Sequence, residues 1–245
     1  MNQAAGTSTA MECTDRAQPA STCTPGDLMF KDFTLNQYLA ETASPSPVPG
    51  GGSAAALSAA LAASLTEMVA GLTVAAKAFA SVAAEMQSLR ERAQIIRGQL
   101  ADYIQLDADA YNQVIAAYRL PKTDEEQKSR RSEAIQAALR HAARVPLEVA
   151  RVSAEILAMA EKAVTRGNPN TVTDAAVAAL LARSAGLAAL YNVKINLASI
   201  KDRGFVRETT AEVNRLEVQI IGQEREVLGA IQLSAPEDPV AKELL

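Results

Sequence analysis

The sequence predicts an all-α fold, a bundle of long helices, and three observations favour it. Apolar residues make up 49% of the 245 residues, which is enough to bury the core of one large domain. Aromatic residues are only 4% and tryptophan is absent, whereas strands are normally enriched in aromatic and β-branched residues. Alanine, the strongest helix former, is abundant throughout and lets helices pack closely.

Charge and cysteine content exclude several classes of function. Lysine and arginine total 24 against 28 aspartate and glutamate, a formal net charge of −4, so the basic excess of a nucleic-acid-binding protein is missing. The two cysteines, Cys13 and Cys23, lie near the N-terminus, and the single histidine is His141. The sequence therefore offers no Cys/His cluster for zinc or for a nucleophile pair, and we predict no metal and no nucleic-acid partner.

The N-terminal segment does not have the pattern of a signal peptide, because no basic start is followed by an apolar core. The Ala-rich stretch from Ser53 is interrupted by polar residues, among them Ser58 and Glu67, so no membrane span is predicted. We therefore expect a cytoplasmic protein without a membrane partner.

Three regions differ in composition. Residues 1–30 are rich in Ser, Thr, Gln and Pro without an apolar period and predict a disordered tail. Residues 31–235 show neither a repeat of fixed period nor a break in composition, so we expect one helical domain there. Residues 236–245 are predicted to form a polar C-terminal tail.

The first two predicted helices flank a segment rich in proline and glycine. Thr34 is the expected N-cap of a short helix, which ends before residues 44–49 because each proline there forces its predecessor out of the helical region. A Gly-rich loop at 50–53 then opens the second helix, in which apolar residues recur at helical spacing to about Ala80.

Four further helices are predicted. Their expected bounds are about 82–118, 123–165, 171–200 and 204–233. Thr123 is the expected N-cap of the fourth helix, and Pro146 is expected either to kink that helix or to restart it. Thr171 or Thr173 caps the fifth helix after a turn at 167–170.

One carboxylate interrupts the predicted buried face of the third helix. Alternating steps of four and three residues place Asp107 in a stripe of core-compatible residues: Leu89, Ala93, Ile96, Leu100, Tyr103, Ala110, Val114 and Ala117. A carboxylate on such a face needs a partner or acquires a raised pKa, which suits a general acid or base. Asp107 is therefore either a structural residue paired with a neighbouring helix or a catalytic one. Tyr111 and Asn112, one turn on, are placed to flank the same site, whereas Asp109 points elsewhere.

On the fifth helix, small residues separate three polar ones, which predicts the floor of a groove. Asn192 and Asn196 are one turn apart and face the same way, and they either join helices by hydrogen bonds or contact a ligand. Asp174 lies about 27 Å earlier along the axis at 1.5 Å per residue, too far to share one small site with them in a single subunit. Its position at a helix start also has a simpler explanation, a favourable interaction with the helix dipole.

The Gly-rich loop and a lysine give weaker signals. Gly50, Gly51, Gly52 and Ser53 open a helix, whose free backbone N–H groups can receive a carboxylate or a phosphate. Alternatively the glycines only permit a sharp turn, and the nucleotide P-loop pattern is missing. Lys77 is either an ordinary surface residue or an anion contact.

Five segments carry a resemblance when they are taken in order. They are SPSPVPGGGSAAALSAALAASLTEMVAGLT, LDADAYNQVIAAYRLPKTDEEQKSRR, VPLEVA, GNPNTVTDAAVAALL and NVKINL. Together they resemble the cyclodeaminase/cyclohydrolase family, which comprises the C-terminal domain of formiminotransferase-cyclodeaminase and stand-alone bacterial methenyltetrahydrofolate cyclohydrolases. The resemblance covers about 33–225. It implies an all-helical homodimer that binds a tetrahydrofolate derivative as substrate in a cleft near the subunit interface, without a metal or another cofactor.

The resemblance also implies roles for individual residues. Asp107 matches the acidic residue of the family's D-x-x-A-[FY] motif and is the implied catalytic residue. The implied substrate-binding residues are Gly50, Gly51, Gly52, Ser53, Lys77, Tyr111, Asn112, Asp174, Asn192 and Asn196. Asp174 matches an N-x-x-S-D motif in which Thr173 replaces the serine, and a dimer would bring the distant ends of the fifth helix to a shared site. Of the family's G-K-K-K-[FY] cluster only Lys77 remains.

The resemblance implies an enzyme of one-carbon metabolism, with methenyltetrahydrofolate cyclohydrolase as the first hypothesis. That enzyme converts 5,10-methenyltetrahydrofolate and water to 10-formyltetrahydrofolate, and the lack of a formiminotransferase domain in the sequence favours it. The alternative is a formiminotetrahydrofolate cyclodeaminase, which releases ammonia. A second alternative is a non-catalytic helical dimer that serves as a binding or scaffold protein: the missing lysines favour it, and Asp107 on an apolar face disfavours it.

Overall fold

The computed structural model describes residues 29–231, and every regular element in that range is helical. The α-helices are α1 (Leu35–Thr42), α2 (Gly51–Ala75), α3 (Ala83–Tyr118), α4 (Glu125–Arg166), α5 (Val172–Leu197) and α6 (Arg203–Gly229). Short 3-10 helices cover Phe30–Asp32, Lys77–Val82 and Pro169–Thr171. The all-α prediction is confirmed for this range. The predictions for residues 1–28 with both cysteines, and for 236–245, lie outside the described residues.

The start of α1 and the end of α2 show one confirmed and one wrong prediction. Thr34 caps α1 through a capping box, because its hydroxyl accepts from Gln37 N and the Gln37 side chain accepts from Thr34 N. The second helix ends at Ala75 and not near Ala80, because Ala76 adopts an extended backbone. Lys77 therefore lies outside α2, in the 3-10 helix that follows.

Helix α4 corrects two further predictions. Its N-cap is Asp124, whose carboxylate accepts from Gln127 N at 2.7 Å, and not Thr123. The helix does not restart at Pro146 but continues through it. Proline removes the N–H that would bond the carbonyl four residues earlier, that of Ala142. Asn196 on α5 donates to this carbonyl instead, at 3.1 Å, so the freed acceptor is satisfied from a neighbouring helix.

Helices α2 to α5 form an antiparallel four-helix arrangement, and α6 packs along α4 and α5. Ion pairs join α2 to α3 (Glu67–Arg97) and α3 to α4 (Arg92–Glu155), and their positions along the helices agree with the antiparallel arrangement. The centre holds large aliphatic side chains that are fully buried, including Met86, Ile96, Leu100, Ile156, Leu157 and Leu190. Alanines fill the close contacts of α2 and α5, as the composition predicts.

The contacts between α2 and α5 show which helix termini lie together at each end of the bundle. Gly51 at the start of α2 lies beside Asn192 near the end of α5. At the other end, Thr73 accepts a hydrogen bond from Asn168 N, in the turn before α5. The bundle therefore has one end formed by the start of α2 and the end of α5, and an opposite end formed by the end of α2 and the start of α5.

Candidate active site

A cavity of about 320 Å³ lies at the end of the bundle where α2 begins, among α2, α3, α4 and α5. Seven residues singled out from the sequence line it together: Gly50, Gly51, Gly52, Asp107, Tyr111, Asn192 and Asn196. Pro47, Val48, Ala110, Val114, Ala142 and Ile195 complete the lining. The cavity is therefore largely apolar, with a few polar groups that converge on it, as is typical of a small-molecule site.

Asp107 and Ser53 connect α3 to the first turn of α2. The Ser53 hydroxyl is fully buried and lies 2.8 Å from the Ile104 carbonyl and 3.2 Å from Asp107 Oδ2, so it is placed to donate to either acceptor. Ser53 therefore contacts the carboxylate of Asp107 but does not line the cavity itself.

Burial raises the pKa of Asp107 above its ordinary value, and hydrogen bonds from the Ser53 hydroxyl and backbone act in the opposite direction. The carboxylate thus has a partner, as a structural residue would, and also faces a cavity with a raised pKa, as a general acid or base would. Asp107 therefore has features of both roles that the sequence left open, the structural one and the catalytic one.

The absence of a side chain at residue 52 makes this geometry possible. A Cβ built on Gly52 would lie 2.7 Å from Asp107 Oδ2 and closer still to Oδ1. No side chain fits there unless the carboxylate moves. Gly50 is the N-cap of α2, and Gly51 and Gly52 form its first turn, so these glycines are mostly part of the helix and not a loop in front of it. The helix N-terminus, with its free N–H groups, opens beside Asp107.

Asn192 and Asn196 both line the cavity, and both use their amide nitrogens within the protein. Asn192 Nδ2 donates to Ala188 O at 3.0 Å, and Asn196 Nδ2 donates to Asn192 O at 2.8 Å and to Ala142 O. Asn196 therefore joins α5 to α4, the first of the two roles considered from the sequence. Asn196 thus uses both amide hydrogens, whereas Asn192 uses one of its two. The second amide hydrogen of Asn192 and the two amide oxygens form no hydrogen bond with the described residues, so these are the groups that a ligand can reach.

Substitution of Asn196 by alanine is expected to lower the free energy of unfolding by about 1–3 kcal/mol, because the buried Ala142 carbonyl loses its donor. Pro146→Ala restores an N–H to the same carbonyl, so Asn196→Ala should cost less in that background. Urea denaturation of the two single variants and the double variant measures the coupling. An equal cost of Asn196→Ala in both backgrounds would contradict this account.

Besides Ser53, three predicted residues lie outside the cavity. Asn112 lines an adjoining cavity of about 450 Å³ with Arg119, which shares Pro47 and Tyr111 with the first. Lys77 is exposed and Asp174 is half-buried, and both lie at the opposite end of the bundle. Within one protomer the structure does not bring them to Asp107.

One neighbour of Asp107 was missed from the sequence. Tyr38 is the buried residue of α1, and its hydroxyl, also buried, forms no hydrogen bond with the described residues. Burial raises the pKa of Tyr38, and the nearby charge of Asp107 adds to this effect. The helical spacing of Leu35, Tyr38 and Leu39 gave no signal, because Leu35 and Leu39 are exposed and only Tyr38 faces the core.

Other features agree with a site built from Asp, Asn and backbone groups. Asp109 is half-buried, accepts a hydrogen bond from Gln105 and does not line the cavity. His141 is exposed. Between residues 29 and 231, no group of three or more His, Cys, Asp or Glu side chains is arranged to hold a metal ion.

Comparison with known proteins supports the motif pattern. The family model described as formiminotransferase-cyclodeaminase matches residues 34–215. A methenyltetrahydrofolate cyclohydrolase from Methylorubrum extorquens is 38% identical over 188 residues, which is 77% of this chain and 90% of that protein. A formimidoyltransferase-cyclodeaminase from Rattus norvegicus is 31% identical over 201 residues, 82% of this chain but only 37% of the longer rat protein.

A solved structure agrees in fold. The crystal structure of a formiminotetrahydrofolate cyclodeaminase from Thermotoga maritima matches with a TM-score of 0.74 and 31% identity, over 81% of this chain and 96% of that one. The helical bundle, the match of the family model to most of the chain and the identity to the bacterial cyclohydrolase lead to one conclusion. The chain belongs to the formiminotransferase-cyclodeaminase family.

Proposed function

We propose that this protein is a methenyltetrahydrofolate cyclohydrolase that adds water to 5,10-methenyltetrahydrofolate and releases 10-formyltetrahydrofolate. The observation that carries the proposal is the position of Asp107: a carboxylate with a raised pKa, held by Ser53, faces a largely apolar cavity at the N-terminus of a helix. A buried carboxylate that faces a cavity is placed to accept a proton and to return it.

Asp107 makes one proton transfer at each of the two stages of the reaction. In the first, Asp107 takes a proton from water while the water oxygen bonds to the methenyl carbon, which gives a tetrahedral carbon between N5 and N10. In the second, the carbon–N5 bond breaks, N5 receives the proton from Asp107, and the hydroxyl loses its proton to solvent as the formyl carbonyl forms on N10. Water thus supplies the formyl oxygen, and one proton is released.

The other lining residues suit a reduced pterin. The Oδ1 atoms of Asn192 and Asn196 are available to accept from ring N–H and amino groups, and the backbone N–H groups of Gly51 and Gly52 suit a developing negative oxygen. Tyr111, which is 38% exposed at the rim, is placed to cover one side of the ligand. These groups orient the substrate, while Asp107 moves the proton.

Cyclohydrolysis is placed before cyclodeamination because of sequence identity. The Methylorubrum cyclohydrolase is 38% identical to this chain, whereas the rat formimidoyltransferase-cyclodeaminase is 31% identical. The matched Thermotoga structure, which is covered over 96% of its chain, keeps cyclodeamination of 5-formiminotetrahydrofolate as the second candidate.

The experiment is to follow the decay of the methenyltetrahydrofolate absorbance band with purified protein and without it, because the compound also hydrolyses unaided. Faster decay with the protein supports cyclohydrolase activity. No acceleration, together with ammonia release from 5-formiminotetrahydrofolate, would replace the proposal with the cyclodeaminase. Failure of both reactions would leave the non-catalytic binding or scaffold protein.

The same proposal includes the setting in which the enzyme acts. It works as a cytoplasmic homodimer, binds its folate without a metal or other cofactor, and has neither nucleic acid nor membrane as a partner.

A further inference from the structure

A second cavity, which we call the Arg119 cavity, adjoins the Asp107 cavity along α3 and has a volume of about 450 Å³. It shares Pro47 and Tyr111 with the Asp107 cavity, and its other lining residues are Asn112, Ile115, Ala116 and Arg119. Steps of four residues lead from Asp107 to Arg119, so the residues of this row share one side of the helix. The two cavities therefore lie end to end along the C-terminal part of α3.

The Asp107 cavity is too small for a whole reduced folate. Its volume is about 320 Å³. A folate with one glutamate has about 33 non-hydrogen atoms and fills roughly 500 Å³ at the packing density of an organic crystal. The cavity can therefore take the pterin with its one-carbon group, while the p-aminobenzoyl-glutamate part of the molecule needs a neighbouring space.

Arg119 gives the adjoining cavity a positive charge. Its side chain is exposed, and it takes part in none of the ion pairs between residues 29 and 231. By contrast, Arg131 is engaged, because it donates to the Tyr118 carbonyl at 3.0 and 3.2 Å and lies over the Tyr118 ring. None of the described residues that line the Arg119 cavity is acidic. The Arg119 guanidinium is therefore available to an anionic ligand, and its planar fork suits a carboxylate.

We propose that the Arg119 cavity binds the p-aminobenzoyl-glutamate part of the folate and that Arg119 binds the carboxylates of the glutamate. The inference rests on the proposed function and assigns the part of the substrate that the Asp107 cavity cannot hold. The aromatic ring of the substrate then passes beside Pro47 and Tyr111, which line both cavities. The side-chain amide of Asn112 is placed to contact the amide that joins this ring to the glutamate.

The distance between Asp107 and Arg119 fits the length of the substrate. The two residues lie about 18 Å apart along α3 at 1.5 Å per residue. Because helical side chains lean toward the N-terminus, the Arg119 guanidinium can lie closer, about 12–15 Å from the level of Asp107. In an extended folate, the glutamate carboxylates lie about 10–13 Å from the one-carbon group. The glutamate can therefore reach Arg119 while the one-carbon group stays beside Asp107.

The order of the charges along α3 also matches the order of the charges in the substrate. The methenyl bridge carries a positive charge that N5 and N10 share, and the glutamate carries negative charges. The site has the Asp107 carboxylate at one end and the Arg119 guanidinium at the other. Opposite charges meet at both ends only when the pterin lies in the Asp107 cavity and the glutamate in the Arg119 cavity.

A different basic groove, between α2 and α3, is less suited to the glutamate. Its volume is about 560 Å³, and it shares no lining residue with the Asp107 cavity. One of its two arginines, Arg97, pairs with Glu67 at 2.8 Å, so a carboxylate would have to compete with Glu67. The other, Arg90, lies about 25 Å from Asp107 along α3, which is farther than a single glutamate reaches.

Equilibrium binding of two ligands tests the inference without reference to activity. One ligand is 5-formyltetrahydrofolate, and the other is 5-formyltetrahydropteroate, the same molecule without the glutamate. Arg119→Gln should weaken binding of the folate about tenfold, because a charge-assisted pair is lost, and leave binding of the pteroate unchanged. Lys122→Gln, which removes a charge from an exposed residue outside both cavities, should leave both affinities unchanged.

Equal weakening of both ligands by Arg119→Gln, or no weakening of either, would overturn the inference. A weakening by Lys122→Gln as large as that by Arg119→Gln would also overturn it, because the effect would then come from net charge and not from contact. If the wild-type protein bound neither ligand, both the inference and the proposed function would be refuted.

Initial rates separate the inference from the proposed function. Arg119→Gln should raise KM for methenyltetrahydrofolate about tenfold and leave kcat nearly unchanged, because Arg119 is remote from the reacting carbon. An active enzyme in which this variant keeps the wild-type KM would refute the role of Arg119 alone. A wild-type protein that binds the folate through Arg119 but turns over neither methenyltetrahydrofolate nor 5-formiminotetrahydrofolate would refute the proposed function alone.

Discussion

Asp107→Asn is expected to reduce the rate of methenyltetrahydrofolate cyclohydrolysis by about 10²- to 10⁴-fold, the range that a general acid or base usually contributes. Asparagine has the size of aspartate and still accepts from Ser53, but it cannot take a proton from water. Folate binding should change little, because the substrate is held by other groups. Initial rates from the methenyl absorbance band and equilibrium binding of a reduced folate separate these two effects.

The same variant should fold, with stability at least equal to that of the wild type at neutral pH. Burial raises the pKa of Asp107, so the protonated form is favoured in the folded state. Its contribution is present below the ordinary carboxyl pKa and is lost as the pH rises through the raised value, whereas asparagine is neutral throughout. Asp109→Asn, two residues away and outside the cavity, is the matched control for activity. A rate loss equal in both variants, or near-normal activity of Asp107→Asn, would remove the catalytic role of Asp107.

Gly52→Ala is expected to damage both activity and stability, although it adds only one methyl group. Its Cβ would occupy the space of the Asp107 carboxylate, so the carboxylate must rotate or α2 must separate from α3. We expect a loss of about 10²-fold in turnover, as for a displacement of about 1 Å in a reacting group. The free energy of unfolding should fall by about 1–3 kcal/mol because the contact is overpacked. Steady-state rates and urea denaturation measure the two effects.

Gly98→Ala is the control for this substitution. Gly98 lies in the middle of α3, is exposed and has no atom within 4 Å of a built Cβ. Alanine there should leave the rate unchanged and raise the stability by up to about 1 kcal/mol, because alanine is the better helix former. Wild-type turnover of the Gly52→Ala protein would mean that catalysis does not depend on the position of the Asp107 carboxylate.

Periodicity predicted the fold well where a helix has a regular buried stripe, as α3 has. The stripe through Leu89, Ile96 and Leu100 is buried as expected, and it singled out Asp107 as its exception. The motifs predicted the family, which the comparisons confirm. Short-range sequence patterns failed to predict local structure where contacts between helices determine it. Pro146 is tolerated inside α4 because Asn196, fifty residues later, supplies the missing donor.

The candidate site could be predicted only in part from the sequence. Asp107, Asn192 and Asn196 were found because polar residues stand out on apolar helix faces, and the structure brings them to one cavity. Tyr38 and the close approach of Gly52 to Asp107 depend on how α1 and α2 pack on α3, which no short-range pattern contains. Lys77 and Asp174 were grouped with the site by motif, and one protomer does not bring them there.

The measurement that tests the account most directly is a crystal structure of Asp107→Asn protein with 5-formyltetrahydrofolate, a stable reduced folate with its one-carbon group on N5. We predict that the pterin occupies the cavity between the first turn of α2 and Asn192, with the one-carbon group within about 3.5 Å of the residue 107 side chain. Folate bound instead in the groove of about 560 Å³ between α2 and α3, lined by Arg90 and Arg97, would contradict the account.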